Sequence, residues 1–229
     1  MRNKLFVLIV ATFLFSCVEK GDIDAADIIA CGNFNPETHI CDKRDGKKYK
    51  ITKKIDGQIW LAENLKYKPP ETSSLCYKWE DKNCEEYGRL YPFEEIDELC
   101  PEGWKVPNME EWKKLEERTG GSNSSDNNIK ASSKWLPYTK QGTQVHGYGE
   151  NTYNFSALPA GVYKIVEDYD CEDFDEFEEP PYVEWGGLGT IALFMSSSVN
   201  EYWAVTNDPE MKFCTATNSY VSVRCIKKE

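Results

Sequence analysis

The chain predicts an α+β domain, two helices and a small, irregular, mostly antiparallel sheet, stapled by disulfides. Three observations lead there. Apolar residues between positions 108 and 118 recur at helical spacing. Short β-branched and aromatic runs separated by turn residues fill the second half of the chain. Once Cys17 is set aside, the cysteines number eight, an even set that reads as up to four bridges in an oxidising compartment.

Cys17 is set aside because of what precedes it. Arg2 and Lys4 are followed by an apolar run from Leu5 to Phe15, broken only by Thr12. The run is too short to span a bilayer and has the shape of a secretory h-region. Leu14-Phe15-Ser16-Cys17 then resembles a bacterial lipobox. The expectation is a signal peptide over 1–16, a lipidated Cys17 at the head of an acidic tether over 17–39, and a folded domain over 40–229. Acyl chains on Cys17 would make the membrane a partner, each buried CH₂ adding about 0.8 kcal/mol. Val18 stands where an inner-membrane retention signal often places Asp, so the expected destination is the outer membrane, with surface display as a further expectation. Without residues 1–16 the chain carries 25 basic against 39 acidic residues, a formal charge of −14. Such a surface repels nucleic acid, which is excluded as a partner.

The elements follow in order. Lys48 to Thr52 alternates, Asp56-Gly57 marks a two-residue hairpin turn, and Gln58 to Leu61 returns. Phe93, Ile96 and Leu99 suggest a short helix over Pro92–Leu99. Asn108 is a candidate N-cap with Glu111 three residues on, Trp112 and Leu115 share a face, and Gly120-Gly121 ends that helix. Residues 121–151 lack a period and read as a long surface loop. Five apolar runs, beginning at Phe155, Gly161, Gly189, Tyr202 and Tyr220, read as strands. Two cysteine pairs, Cys31–Cys41 and Cys76–Cys84, enclose turn-rich stretches short enough to close locally.

Several of these segments carry a resemblance. Asp45-Gly-Lys47 with Tyr49, Gly57-Gln-Ile-Trp-Leu-Ala-Glu-Asn-Leu-Lys-Tyr67, Cys76-Tyr77, Cys84, Tyr87-Gly-Arg-Leu-Tyr91, Cys100-Pro-Glu-Gly-Trp-Lys-Val-Pro107, Glu111-Trp112, Phe155-Ser-Ala-Leu-Pro-Ala-Gly161 and Ser222-Val-Arg-Cys225 stand in that order. Together they resemble the Fibrobacter succinogenes major paralogous domain, over roughly residues 40–227. The resemblance implies a secreted or lipid-anchored envelope protein with a C-type-lectin-like fold, distantly similar to the sulfatase-modifying-factor fold. It also implies a Cys100–Cys225 bridge, with Cys171–Cys214 as the remaining pair.

Function is less legible. G-x-S-x-G, H-E-x-x-H and phosphate-cradling glycine loops are all missing from the sequence. His39 and His146 stand in polar, loop-like contexts, and Glu110, Glu111, Glu184 and Asp208 read as solvated acids rather than a glycosidase pair. With its cysteines assigned to disulfides the chain reads as no enzyme, and no cofactor is required. Residues 167–179 hold nine acids in thirteen positions, a solvated loop or a calcium site whose first ligands would be Asp168, Asp170, Glu172 and Asp173. Trp60, Trp104, Trp112 and Trp203 belong to the motifs of the resemblance and are expected in the core. Trp79, Trp135 and Trp185 lie in polar or glycine-rich contexts and are the candidates for stacking on a sugar face. The expected function is a non-catalytic surface binding or adhesion module, with polysaccharide as partner. The alternative is a structural envelope component that binds another envelope protein.

Overall fold

The Ser222-Val-Arg-Cys225 segment is fully buried and lies between the two larger apolar clusters of the interior. The computed structural model describes residues 31–70, 73–96, 99–121, 125–165, 183–198, 201–207 and 219–229. The strands in order are β1 (His39–Asp42), β2 (Lys47–Lys50), β3 (Leu90–Pro92), β4 (Trp104–Lys105), β5 (Tyr138–Lys140), β6 (Thr143–Val145), β7 (Ala160–Ile165), β8 (Val183–Leu188), β9 (Ile191–Met195), β10 (Tyr202–Thr206), β11 (Tyr220–Ser222) and β12 (Ile226–Lys227). The helices are α1 (Asp81–Tyr87), α2 (Met109–Thr119) and α3 (Ser125–Ile129). A six-stranded sheet runs β10-β9-β11-β7-β8, with β3 added on β11. Most of its pairs are antiparallel; β9 meets β7 and β11 in parallel at single positions. The fold is α+β with small sheets and disulfides, as the composition of the segments predicts.

Strand β9 shows why its sequence, Ile-Ala-Leu-Phe-Met, does not alternate with polar residues. Ala192 and Phe194 face one cluster, with Trp60, Trp112, Phe155 and Trp203. Leu193 and Met195 face the other, with Tyr49, Leu61, Tyr91, Trp104 and Val223. A strand covered on both faces needs apolar side chains at every position. In the first cluster the Trp112 and Trp203 rings stack at 4.9 Å and 10°. All four tryptophans assigned to the core are buried.

Helix α2 forms where expected. The Asn108 side chain accepts from the Glu111 N–H and the Glu111 carboxylate accepts from the Asn108 N–H, both at 2.9 Å. This capping box satisfies two otherwise orphaned donors. Trp112, Leu115 and Thr119 form the buried stripe, and Gly120 closes the helix at φ 129°. The Asp56-Gly57 turn also forms, with φ of 51° and 84°, but its ladder is abbreviated to bridges at Ile55–Gln58 and Ile51–Leu61. The rest of β2 pairs with β1 instead.

Three readings change. The helix expected over Pro92–Leu99 is not formed among the described residues: β3 claims residues 90–92 by pairing with β11, and Phe93–Glu95 makes a 3-10 turn. The apolar spacing of exactly three that suggested a helix suits three residues per turn at least as well. The loop over 121–151 contains α3 and a β5–β6 hairpin around Gln141-Gly142, both residues at positive φ. The hairpin is mostly solvent-facing, so it has no apolar alternation to show. Helix α1 was not foreseen because Asp81–Tyr87 buries only Asn83 and Cys84. The bridges Cys31–Cys41, Cys76–Cys84 and Cys100–Cys225 are present; Cys171 and Cys214 lie outside the described residues.

Arg224 is fully buried. Its guanidinium donates to Leu61 O, Phe155 O, Ser156 O and Asn64 Oδ1. It also lies 4.5 Å over the Phe155 ring. Burial lowers its pKa to about 9, which leaves it protonated at neutral pH. A planar fork of donors is the side chain that can reach four separate acceptors at once. Removing it strands buried carbonyls, each costing about 1–3 kcal/mol. Arg224→Met is therefore expected to lower the unfolding free energy by about 3–5 kcal/mol in urea titrations. A loss under about 1 kcal/mol would show that these carbonyls find other partners.

Two buried phenols set the alkaline limit. The Tyr49 hydroxyl accepts from the Lys66 N–H at 3.0 Å, and Tyr91 donates to Tyr67 O at 2.5 Å. Burial raises both pKa values. A raised folded-state pKa contributes stability that is complete below the unfolded value, about 10, and is lost as pH rises towards the folded value. The tyrosinate absorbance of these two side chains should therefore appear only together with cooperative unfolding. Titration of all 13 tyrosines near their ordinary value with the fold intact would contradict this account.

Candidate functional site

The three stacking candidates separate sharply. Trp135 is 4% exposed, its Nε1–H donates to Ala157 O at 2.9 Å, and Lys130 Nζ sits 5.1 Å from its ring centre. It belongs to the core, and its role as a ligand contact is corrected: the polar neighbours Ser132, Ser133 and Lys134 are exposed while the ring turns inward. Trp79 is 63% exposed. Trp185 is half-buried beneath it.

Trp79 and Trp185 meet because two separate pieces of chain converge. In the sheet, β7 and β8 pair so that Tyr163 stands opposite Trp185, and β11 places Tyr220 opposite Tyr163. On top lies the turn Tyr77-Lys78-Trp79-Glu80, closed by a bond from the Glu80 N–H to Tyr77 O at 3.2 Å. The Trp79 ring packs edge-to-face on Trp185 at 4.8 Å and on Tyr163 at 5.8 Å. Tyr77 packs against Trp185 at 5.1 Å. Gly161 permits this close approach: a Cβ there would stand 2.7 Å from the Tyr77 ring and 2.5 Å from Gly186 O. The Trp185 Nε1 is enclosed and has no hydrogen-bond partner among the described residues.

The turn itself is unusual. Lys78 and Trp79 have φ of 54° and 55°, a left-handed pair that hairpin turns normally fill with Asn-Gly. The Cys76–Cys84 bridge spans the turn, Asn83 Nδ2 donates to Tyr77 O at 2.8 Å, and Glu86 of α1 pairs with Lys134. The result is an aromatic ring held out into water on a stapled base. Such a ring can cover the apolar C–H face of a flat ligand and leave its hydroxyls to the solvent.

A second concavity, about 760 Å³, opens beside the Cys100–Cys225 bridge. Arg44 lies 3.8 Å over the Tyr67 ring on one side, with Trp104, Lys105 and Lys228 also at its walls. Arg44 is already engaged by Asp42 at 2.8 Å and by Leu99 O, and Lys105 by Glu111 at 2.7 Å.

No catalytic arrangement forms among the described residues named as candidates. Glu110 is exposed beside Lys114, which lowers its pKa through a hydrogen bond. Glu111 serves the capping box. Glu184 lies in β8 opposite Lys164. His39 bonds to Thr38, and His146 stacks on Tyr148. Among the described residues no three His, Cys, Asp or Glu side chains gather as a metal site. Cys17, the four acids Asp168, Asp170, Glu172 and Asp173, and Asp208 lie outside them. The platform partners Tyr77, Tyr163 and Tyr220 were missed as site residues; strand register sets Tyr220 and Trp185 beside Tyr163, and packing of the Cys76–Cys84 turn on the sheet adds Tyr77.

Comparison with known proteins adds one finding. The Fibrobacter succinogenes major domain matches residues 54–227. No curated protein and no solved structure matches the chain. The matched span includes the Arg224 network, the Cys76–Cys84 turn and the whole aromatic platform, and the chain belongs to the Fibrobacter succinogenes major domain family.

Proposed function

We propose that this protein is a non-catalytic, lipid-anchored binding or adhesion module of the bacterial outer surface, and that it takes polysaccharide on the Trp79 platform. The observation that carries the reading is the exposure of Trp79 on a base of Trp185 and Tyr163. A large apolar ring is not ordinarily held in water by a strained turn, and strain of this kind clusters where a protein binds. The lipobox-like Leu14 to Cys17 supports the anchor, and Val18 supports delivery to the outer membrane. The short helices, the irregular sheet and the Cys100–Cys225 bridge support a C-type-lectin-like fold. Fold likeness does not assign the ligand; the support for polysaccharide comes from the platform.

The test is a glycan array with residues 18–229, run with calcium and with chelator. Binding to neutral polysaccharide is expected, and Trp79→Ala should weaken it about tenfold or more, the equivalent of about 1.4 kcal/mol. Loss on adding chelator would assign calcium to the acids of 167–179. No glycan bound under either condition would overturn the reading in favour of a structural or protein-binding envelope component. The anchor has its own test: Cys17→Ser should move the protein from the membrane to the soluble fraction, and full retention would refute lipidation.

A further inference from the structure

We propose that the Cys76–Cys84 bridge positions Trp79, so that the platform exists only while this bridge is oxidised and a dithiol reductant switches it off. The proposal rests on the reading of Trp79 as the binding ring. Three features point to it.

First, the bridge encloses the two residues whose backbone most needs holding. Lys78 and Trp79 are adjacent, bulky and both at positive φ. L side chains adopt that conformation reluctantly, and without closure the segment would relax towards right-handed or extended geometry. Second, the hydrogen bonds that shape the turn are local: the Glu80 N–H to Tyr77 O, the Trp79 N–H to Cys76 O at 2.8 Å, the Asn83 amide to Tyr77 O and the Asn83 N–H to Glu80 O at 2.8 Å. All four lie inside the closed loop, and the contacts of the Trp79 ring with Trp185 and Tyr163 depend on the geometry they share. Third, Arg89 Nη1 lies 3.2 Å from Cys84 Sγ and 3.5 Å from Cys76 Sγ. The guanidinium is held there by Ser74 O and Oγ at 2.8 and 3.0 Å. A cation beside a sulfur stabilises its thiolate and makes it a better leaving group. Asp81 Oδ1 lies 3.8 Å from Cys76 Sγ and has the opposite influence there.

The chemistry is a two-electron exchange. Cys76 and Cys84 are each 6% exposed, so attack follows local opening of the turn: a thiolate of the dithiol attacks Cys76 Sγ, the S–S bond breaks, and Cys84 leaves as a thiolate beside Arg89. The second thiol of the reductant then attacks the mixed disulfide, releasing Cys76. The products are two protein thiols, once protons are taken up, and the reductant's own disulfide.

The Trp79–Trp185 pair gives a readout that needs no ligand: two indoles 4.8 Å apart at 83° couple in circular dichroism, and subtracting the Trp79→Ala spectrum separates this couplet from those of the core pairs Trp60–Trp112 and Trp112–Trp203, both at 4.9 Å. In the Cys76→Ser/Cys84→Ser double variant, with the other bridges left intact, this couplet should vanish while the far-ultraviolet spectrum stays folded. Glycan binding should fall as far as it does in Trp79→Ala. If the double variant does not fold, the native chain titrated with dithiothreitol, with freed thiols mapped by alkylation, takes its place. Lys78→Gly, which removes one left-handed penalty, should restore part of the couplet in the reduced protein; a merely structural bridge would show no such rescue. Arg89→Gln should slow reduction of this bridge on the order of tenfold and leave Cys100–Cys225 unaffected. A couplet that survives reduction overturns the proposal whatever the binding result. A couplet lost on reduction with glycan binding unchanged upholds the positioning role and overturns the reading of Trp79 as the sugar contact.

Discussion

The interaction on which the rest of this structure depends is the burial of Arg224. A guanidinium removed from water is costly unless its donors are met, and among the described residues no carboxylate pairs with it. Its acceptors are instead Leu61 O, Phe155 O, Ser156 O and the Asn64 side chain. Two segments far apart in sequence must therefore present their backbone to a side chain of a third. That requirement explains why the stretches around Trp60–Asn64, Phe155–Ser156 and Ser222–Cys225 occur together. It reaches further through Gly88, where a Cβ would stand 2.6 Å from that of Asn64. Since Asn64 must accept from Arg224 and also donate to Tyr87 O, the glycine is part of the same constraint.

Around this point the sequence distributes its side chains by alternation. Val223 and Cys225 belong to one cluster, with Cys225 bridged to Cys100, while Arg224 between them points under Phe155 and Phe194 of the other. Strand β9 makes the same division with Leu193 and Met195 against Ala192 and Phe194. The platform belongs to neither large cluster. Tyr77 and Tyr163 form a small third one with Leu90 and Ala160. The Arg224 network and the proposed ligand contact are thus built from different residues.

What was legible in the sequence follows the same division. The capping box at Asn108–Glu111 and the Cys31–Cys41 and Cys76–Cys84 bridges were readable as local patterns or short closures, whereas the four core tryptophans and the Cys100–Cys225 bridge, 125 residues apart, were readable only through the family resemblance. The tryptophans outside the core were not separable from sequence. Trp135 and Trp79 both have lysines and other polar neighbours, yet one is buried against Ala157 O and the other is not. Exposure of a single ring is decided by what the far strands bring to it, and no short window contains that information. Helix α1 and the β5–β6 hairpin escaped for a related reason. Their helical and strand positions bury little, so their sequences show polar residues where periodicity would have to be read. Arg224 itself was visible only as part of a motif; its burial could not be read from a charged side chain in an apolar run.

The positive-φ residues show where this chain tolerates strain, and why. Asp56, Asn151 and Asn154 are residue types that accept the left-handed region at modest cost. Ser156 is not, but its geometry is over-determined: its N–H donates to Asn151 Oδ1 at 2.8 Å, its hydroxyl accepts from Asn151 Nδ2, and its carbonyl accepts from Arg224. There the strain serves the core, since it aims two successive carbonyls at the guanidinium. Lys78 and Trp79 carry the same backbone conformation with no such return to the interior. Their turn stands the Trp79 ring edge-to-face on Trp185 and Tyr163 of the sheet yet leaves 63% of the residue in water. Strain that buries so little of the ring it positions lowers stability for a small return within the fold, and this imbalance is what motivates the proposed ligand contact.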